Sequence, residues 1–343
     1  VILFVKIPGY SGWARSLIEC LEAMFSDFEK KCGTKVVRIG GGSIEELHSS
    51  LACLDPKDFK AVWCCHDAET KPVHDFRLRV AQAKGVSVAH NHNLIKNPYE
   101  PFFVYEKIVG YNPHASLTHL FVNAPYITAS AEISTVLNPV PVNAPTPEYL
   151  KGFGSRSFDA LFGARFAEDK NRFLAVKFIE SALSQDPELR IGFAFPPLAK
   201  WHRDRPDVED YDYHRCMQAV EYLTDLGVAV FPDCEESAFL ELLARSKTYF
   251  SFGMQDTLSV SAIQAAMLGC HPLYPDMLPY NTFLPKEYLY PAFDFSALFD
   301  KISEYKSDQK EAPEEKIDTA FYRPSAFIER STQFLWQTIA PLM

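Results

Sequence analysis

The segment Phe162-Gly163-Ala164-Arg165-Phe166-Ala167-Glu168-Asp169-Lys170-Asn171 sets an arginine and a lysine five residues apart, behind a glycine that ends an apolar run. An amphipathic stretch follows, so the pair falls between a strand and the start of a helix. This spacing suits a polyanion. A nucleoside diphosphate carries about two to three negative charges. Arg165 and Lys170 beside a helix N-terminus offer it cationic charge and oriented amides together, which is what a departing diphosphate needs. On an ordinary surface turn the same residues are two solvated cations.

A second polar segment, Ser251-Phe-Gly-Met-Gln-Asp256-Thr257-Leu258-Ser259, also follows an apolar run and leads into Val260–Leu268. The pattern predicts a helix beginning near Thr257, with Asp256 as its N-cap and Thr257 and Ser259 as further caps or anion ligands. Gln264 lies two turns along, and Gly269 closes the helix as the left-handed residue after its last turn.

In the first half, Lys6-Ile-Pro-Gly9-Tyr-Ser-Gly12 separates the first strand from the first helix. Gly9 and Gly12 either let backbone approach a ligand or belong to a plain strand–helix turn. Gly40-Gly41-Gly42-Ser43 is a phosphate nest or, more simply, a connection; no Gly-Lys-Ser/Thr follows, which excludes a P-loop. His66-Asp67 and His90-Asn-His92 follow predicted strands. His90 is read either as facing the expected cleft or as a buried structural histidine, with His92 in reserve. His66 and Asp67 lie where a cleft would open, and Asp67 equally suits a helix cap. Histidines one residue apart on an extended chain face the same way, but no further ligand cluster accompanies them, so no metal is expected. Lys200–Arg215 mixes aromatics and cations, as base-binding surfaces do, with five acids that suit a solvated loop.

The order Gly-Ala-Arg-x4-Lys, then an acid, then a polar residue eight positions later before Ala-x-x-x-Gly-Cys resembles the retaining glycosyltransferases of the two-Rossmann (GT-B) fold, family 4 and its relatives. The likeness covers residues 158–305, and the first half by architecture only. It implies that Arg165 and Lys170 hold the donor diphosphate, that Asp256 contacts the transferred sugar and that Gln264 contacts the ribose. Gly9, Gly12, Gly163, Thr257, Leu258 and Ser259 would complete the donor site. In the first half it implies His90 against the sugar, with His66, Asp67 and His92 toward the acceptor. The chain departs from the family's Glu-x7-Glu in reading Asp-x7-Gln, and it has Thr257-Leu258-Ser259 in place of the usual Gly-Phe-Gly loop. Gly269–Tyr280 and Leu284–Tyr290 are most similar to the tRNA-queuosine mannosyltransferase branch.

The elements needed to position these residues alternate along the chain. Strands are expected at Val1–Ile7, Lys35–Ile39, Ala61–Cys65, Val86–His90, Thr118–Val122 and Ile133–Leu137, with amphipathic stretches such as Trp13–Lys30 between them. Four prolines in Asn138–Pro147 exclude helix or central strand there, which predicts a linker. The alternation resumes with strands at Phe158–Phe162, Arg190–Phe195, Val228–Phe231, Thr248–Phe252 and Cys270–Tyr274. Helices are expected at Lys170–Ser184, Cys216–Leu226, Ser237–Arg245 and Leu258–Leu268. Short apolar β-branched runs between helices predict α/β architecture with two Rossmann-like doubly wound domains facing across a cleft. The expected domains are an acceptor domain over residues 1–145, a donor domain over 146–320 and a closing helix over 321–343.

Length and composition agree with two globular domains: 343 residues, 47% hydrophobic and 23% charged. A formal net charge of −10 opposes a broad nucleic-acid footprint and leaves an anion to a few placed groups. Eight cysteines without a Cys-x-x-Cys pair suit buried, reduced thiols. The chain opens on a strand-like run without a basic, apolar leader, and a soluble cytoplasmic protein is expected. The function expected is sugar transfer from a nucleotide-sugar co-substrate, with retention and with neither metal nor other cofactor. The acceptor hydroxyl would sit on a modified nucleobase in DNA or tRNA, or on a glycan or small molecule. A non-catalytic nucleotide-sugar binding protein is the alternative.

Overall fold

The computed structural model describes residues 1–6, 13–40, 43–65, 71–83, 85–90, 107–109, 132–134, 155–164, 170–196, 210–253, 259–277, 280–307, 313 and 316–342. The chain forms two compact units, Val1–Pro141 together with Ala320–Met343, and Val142–Thr319.

The first unit begins β1 (Ile2–Val5), α1 (Trp13–Cys32), β2 (Val36–Ile39), α2 (Ile44–Ala52), β3 (Ala61–Cys65), α3 (Lys71–Gln82) and β4 (Val86–His90). Two short strands follow, β5 (Lys107–Val109) and β6 (Glu132–Ser134). Strand order is β2-β1-β3-β4-β5-β6, and every pairing is parallel. Side chains alternate across a strand, which sorts β1 between two cores. Ile2 and Phe4 join Leu17, Leu21, Phe25 and Trp63 on one face, while Leu3 and Val5 join Leu47, Val62, Val73 and Phe76 on the other. The C-terminal helix Pro324–Thr338 contributes Phe327, Phe334 and Leu335 to the first of these cores. Its last segment therefore completes this unit, although it is nearly two hundred residues away in sequence.

The second unit contains β7 (Phe158–Gly163), α4 (Arg172–Gln185), β8 (Ile191–Ala194), α5 (Asp210–Asp225), β9 (Ala229–Phe231) and α6 (Glu236–Ala244). It continues with β10 (Ser246–Phe250), α7 (Val260–Met267), β11 (His271–Pro275), β12 (Leu289–Tyr290) and α8 (Phe295–Ser307). Strand order is β12-β11-β10-β7-β8-β9, again with parallel pairing throughout. The order reverses between β7 and β10. In such sheets a crevice opens at that reversal, outside the carboxyl ends of the strands. Each sheet is thus doubly wound, as the alternation of elements predicts.

Some boundaries differ from the sequence reading, for identifiable reasons. Strand β10 starts two residues early, at Ser246-Lys247, because both polar side chains are satisfied inside. Ser246 Oγ donates to Leu242 O at 2.7 Å, and Lys247 Nζ lies 3.1 Å from Asp159 Oδ1. Helix α5 begins at Asp210, within the segment read as an insertion, and Arg215 lies over the Phe173 ring at 4.3 Å. Strand β5 is too short for periodicity to show. Residues 118–122 and the proline-rich 138–147 lie outside the described residues. Among the described residues, no helix is long and apolar enough to cross a membrane.

Candidate functional site

The second unit's carboxyl edge at the β7/β10 reversal brings together several sequence-predicted residues. Gly163 is the last residue of β7 rather than part of the turn after it, and it is buried. A Cβ at Gly163 would stand 2.2 Å from Phe239 Cε2, so the ring of α6 occupies the space a side chain would need. Its carbonyl accepts from Tyr249 Oη of β10. Lys170 is half-buried at the end of the β7–α4 connection, and Asn171 follows as the N-cap of α4. Arg165, in the same connection, lies outside the described residues.

Asn171 departs from ordinary capping. It takes left-handed backbone angles, φ 49° and ψ 43°, and its side chain makes no cap bond. Instead Nδ2 donates to Phe252 O at 2.7 Å, just beyond the end of β10. Asparagine is among the few residues that take this conformation readily. The start of α4 is therefore joined to the exit of β10 by one side chain.

The β10 exit is held at further points. Tyr290 Oη donates to Ser251 O at 2.6 Å, and Gly253 N donates to Ser251 Oγ at 3.0 Å. Burial pushes the Tyr290 phenol far above its ordinary range, so it remains a donor. Residues Asp256, Thr257 and Leu258 lie outside the described residues. The next described residue, Ser259, is the N-cap of α7 and accepts from Ala262 N. This corrects the expected helix start near Thr257 and the capping role read for Asp256: serine caps as well as aspartate does, and it stands immediately before the regular turns. Ser259 Oγ also pairs with Tyr274 Oη of β11 at 2.6 Å. Gln264 lies on α7 with 3% of its surface exposed. At the far end of α7, Gly269 has φ +70°, as predicted for a closing glycine. The Arg156 guanidinium meets this end, with Nη2 3.3 Å from Leu268 O, placing a buried cation on the helix's last carbonyls.

In the segment Gly269–Tyr290, Tyr280, Tyr288 and Tyr290 are fully buried, and Tyr274 is nearly so. From this segment Tyr290 holds the Ser251 carbonyl and Tyr274 meets Ser259.

In the first unit the order reverses at β1/β3. Gly9 and Gly12 follow β1 in sequence, His66 and Asp67 follow β3, and His92 follows β4; all five lie outside the described residues. His90 is the last residue of β4, opposite Cys65 in register, and its side chain is likewise undescribed. The root of the glycine-containing loop is fixed, because Lys6 Nζ pairs with Glu22 of α1 while Arg38 bonds both Glu22 and Glu29. Burial favours protonation of Glu22, but hydrogen bonds from Lys6 and Arg38 outweigh it and hold its carboxyl below the usual range. Gly40 is required for space and conformation alike: its φ is +151°, and a Cβ would stand 2.7 Å from Lys6 Cβ. Ser43 caps α2 by accepting from Glu46 N, which gives the Gly40–Ser43 segment a structural role at its end.

Sequence reasoning missed Asn171, Tyr249, Tyr274 and Tyr290. Asn171 was legible as the residue after Lys170 at a strand–helix junction. The tyrosines were not, because in a strand they read as apolar pattern and nothing marks where each hydroxyl lands.

No protein-family model matches the chain, and no curated protein matches it in sequence. Solved structures do match over nearly the whole chain. Anabaena HepE in complex with UDP and glucose superposes with a TM-score of 0.66 at 12% identity, covering 98% of this chain and 99% of that one. The UDP-forming α,α-trehalose-phosphate synthase from Burkholderia vietnamiensis gives 0.67 at 12% identity, over 97% and 96%. The lipopolysaccharide outer core galactosyltransferase WaaB gives 0.62 at 13% identity, over 98% and 99%. Likeness at this identity speaks to architecture, and the architecture is the GT-B fold, α/β with two Rossmann-like domains.

Proposed function

We propose that this chain is a glycosyltransferase whose donor is a nucleotide sugar, most simply a UDP-sugar bound by the second unit. The observation that carries the reading is the tie between the start of α4 and the exit of β10 at the β7/β10 reversal, with Lys170 next to it in sequence. The uridine nucleotide is suggested by neighbours whose structures hold UDP or whose name states that they form it.

In the proposed reaction the bond between the sugar's anomeric carbon and the diphosphate oxygen breaks, and the acceptor oxygen bonds to the same carbon. The acceptor's proton passes to the departing phosphate, which suits retention and needs no dedicated carboxylate. Lys170, with Arg165, offsets the charge that builds on the leaving group. Ser259 and Gln264 lie on the element expected to meet the sugar and ribose, with Asp256 ahead of them. A neutral Gln264 amide both donates to and accepts from hydroxyls. His90 is assigned toward the donor sugar, and His66, Asp67 and His92 toward the acceptor.

For the acceptor, the formal charge of −10 favours a hydroxyl on a glycan or small molecule over a nucleic acid. A nucleobase acceptor is the second reading, favoured by the sequence likeness of Gly269–Tyr290. Four tyrosines of that segment are buried in the core and so out of an acceptor's reach. A cytoplasmic location accords with the buried thiols of Cys20, Cys64, Cys216 and Cys270.

The test is binding followed by turnover. A ligand at a hundredfold its dissociation constant stabilises by about 2.7 kcal/mol. UDP and a panel of UDP-sugars should therefore raise Tm by several degrees, and the stabilising sugar should release UDP on addition of acceptor. If no nucleoside diphosphate or nucleotide sugar shifts Tm, the assignment is wrong. Transfer to RNA but not to saccharides would favour the second reading.

A further inference from the structure

Resting on the donor reading above, we infer that Asn171 is a positioning residue for the diphosphate: it latches the segment carrying Lys170 to the exit of β10. Three features support this role over simple helix capping. An N-cap normally spends its side chain on its own helix, accepting from the second or third amide, with extended backbone. Asn171 has left-handed backbone and makes no such bond, while its carbonyl still accepts from Leu174 N and Ala175 N to start α4. Its amide is committed to Phe252 O, 81 residues further along the chain.

The target of the latch is itself rigid. Phe252 lies between Ser251, whose carbonyl is held by Tyr290 Oη, and Gly253, whose amide is held by Ser251 Oγ. Ser251 N donates to Leu273 O of β11, so the β10 exit is fixed to the sheet on that side as well. On the other side Tyr249 Oη takes the Gly163 carbonyl at the end of β7. Both strand ends are thus held by tyrosines from the sheet. The Lys170 segment is separated from the β7 end by a connection of several residues. Asn171 supplies the cross-strand tie. It fixes where the lysine's backbone stands relative to the opposite exit, and so where a charge on Lys170 meets a bound phosphate. A misplacement of about 1 Å at such a site costs on the order of a hundredfold in rate.

Two substitutions separate positioning from folding. Asn171→Gly keeps the left-handed backbone at no steric cost and removes the amide. Asn171→Asp keeps the shape and sets a carboxylate oxygen against the Phe252 carbonyl. The readout is the ratio of UMP to UDP dissociation constants by calorimetry, alongside Tm. We expect Asn171→Gly to weaken UDP about tenfold, the equivalent of one hydrogen bond at the upper end of its usual worth. UMP should weaken less than about threefold, so the ratio falls, and Asn171→Asp should lower it further. Turnover should fall in kcat more than KM rises, since the leaving-group charge develops in the transition state. If UMP and UDP weaken equally, or if only Tm moves, Asn171 is a structural cap and the inference fails. If the wild-type protein binds UMP as tightly as UDP, the second phosphate has no site near Lys170 and the inference also fails. If the wild-type protein binds no nucleoside diphosphate at all, the donor assignment itself falls and this inference with it.

Discussion

Replacing Gly163 with alanine tests whether the β7 exit is shaped by packing. The residue does not take a left-handed φ, so alanine suits its backbone, and space alone decides the outcome. A methyl at this Cα would stand 2.2 Å from Phe239 Cε2 and 3.0 Å from Cζ. Contacts that short do not persist, so either the α6 ring or the strand end must move. The ring is half-buried and stacks edge-on to Tyr249, with centroids 6.0 Å apart; moving it disturbs the hydroxyl that holds Gly163 O. Overpacking of this kind costs about 1–3 kcal/mol. For a unit of this size a loss of about 2 kcal/mol lowers Tm by roughly 4–8 °C. The assay is a double-mutant cycle by urea denaturation, with Phe239→Ala as the second change. Removing the ring opens the space, and glycine within a strand is itself disfavoured by about 0.5–1 kcal/mol relative to alanine. Gly163→Ala should therefore destabilise the wild type yet be neutral or stabilising in the Phe239→Ala background. Additive effects would refute the reasoning, because they would mean that the methyl and the ring do not meet.

Two further outcomes follow from the second unit. Ser259→Ala removes the cap of α7 and the partner of Tyr274 Oη, and should cost about 1–2 kcal/mol by chemical denaturation; a loss within error would show that the cap is dispensable. For Asp159, burial favours protonation, but hydrogen bonds from Arg190 and Lys247 outweigh it and hold its carboxyl below the usual range in the folded state. The unfolded chain then binds the proton more readily. This stabilisation is present above the unfolded value and is lost as pH falls through the folded one. Thermal unfolding between pH 7 and pH 3 should show a steeper acid loss for the wild type than for Asp159→Asn; parallel curves would exclude Asp159 as a source of acid lability.

The sequence carried the fold because β-branched and aromatic runs alternate with amphipathic stretches at lengths that only parallel strands and crossover helices satisfy. It concealed residues whose partners are distant. Lys247 lies just before the strand predicted from Thr248, yet it is buried against Asp159, 88 residues away, and donates to Lys306 O, 59 residues away. Asp210-Tyr-Asp-Tyr-His214 read as part of a solvated loop because acids and aromatics alternate there; it nonetheless forms the first turns of a helix that buries Cys216 and Leu223 further along. The site was legible to the same degree. Lys170, Gly163, Ser259, Gln264 and Gly269 could be placed at strand exits or helix ends from local pattern. The bonds that organise them, from Asn171, Tyr249, Tyr274 and Tyr290, span 15 to 86 residues, and no local pattern encodes them.

A glutamine at position 264, where the sequence resemblance would put an acid, has a physical reading in the protein's own terms. Residues Ala262–Met267 of α7 are all buried, and Gln264 is 97% covered. An ionised carboxylate there would pay a desolvation cost that only a close cation or a ligand's hydroxyls could offset. Before a donor arrives, the amide avoids that cost while keeping one acceptor and two donor hydrogens. The exchange therefore trades the stronger, charge-assisted bonds that an acid could give a ribose for a helix stable without ligand. Under the proposed donor assignment, such a site would gain little affinity from the ribose and draw more of it from the phosphates, which would place the greater demand on Lys170 and on whatever holds Lys170 in register with β10.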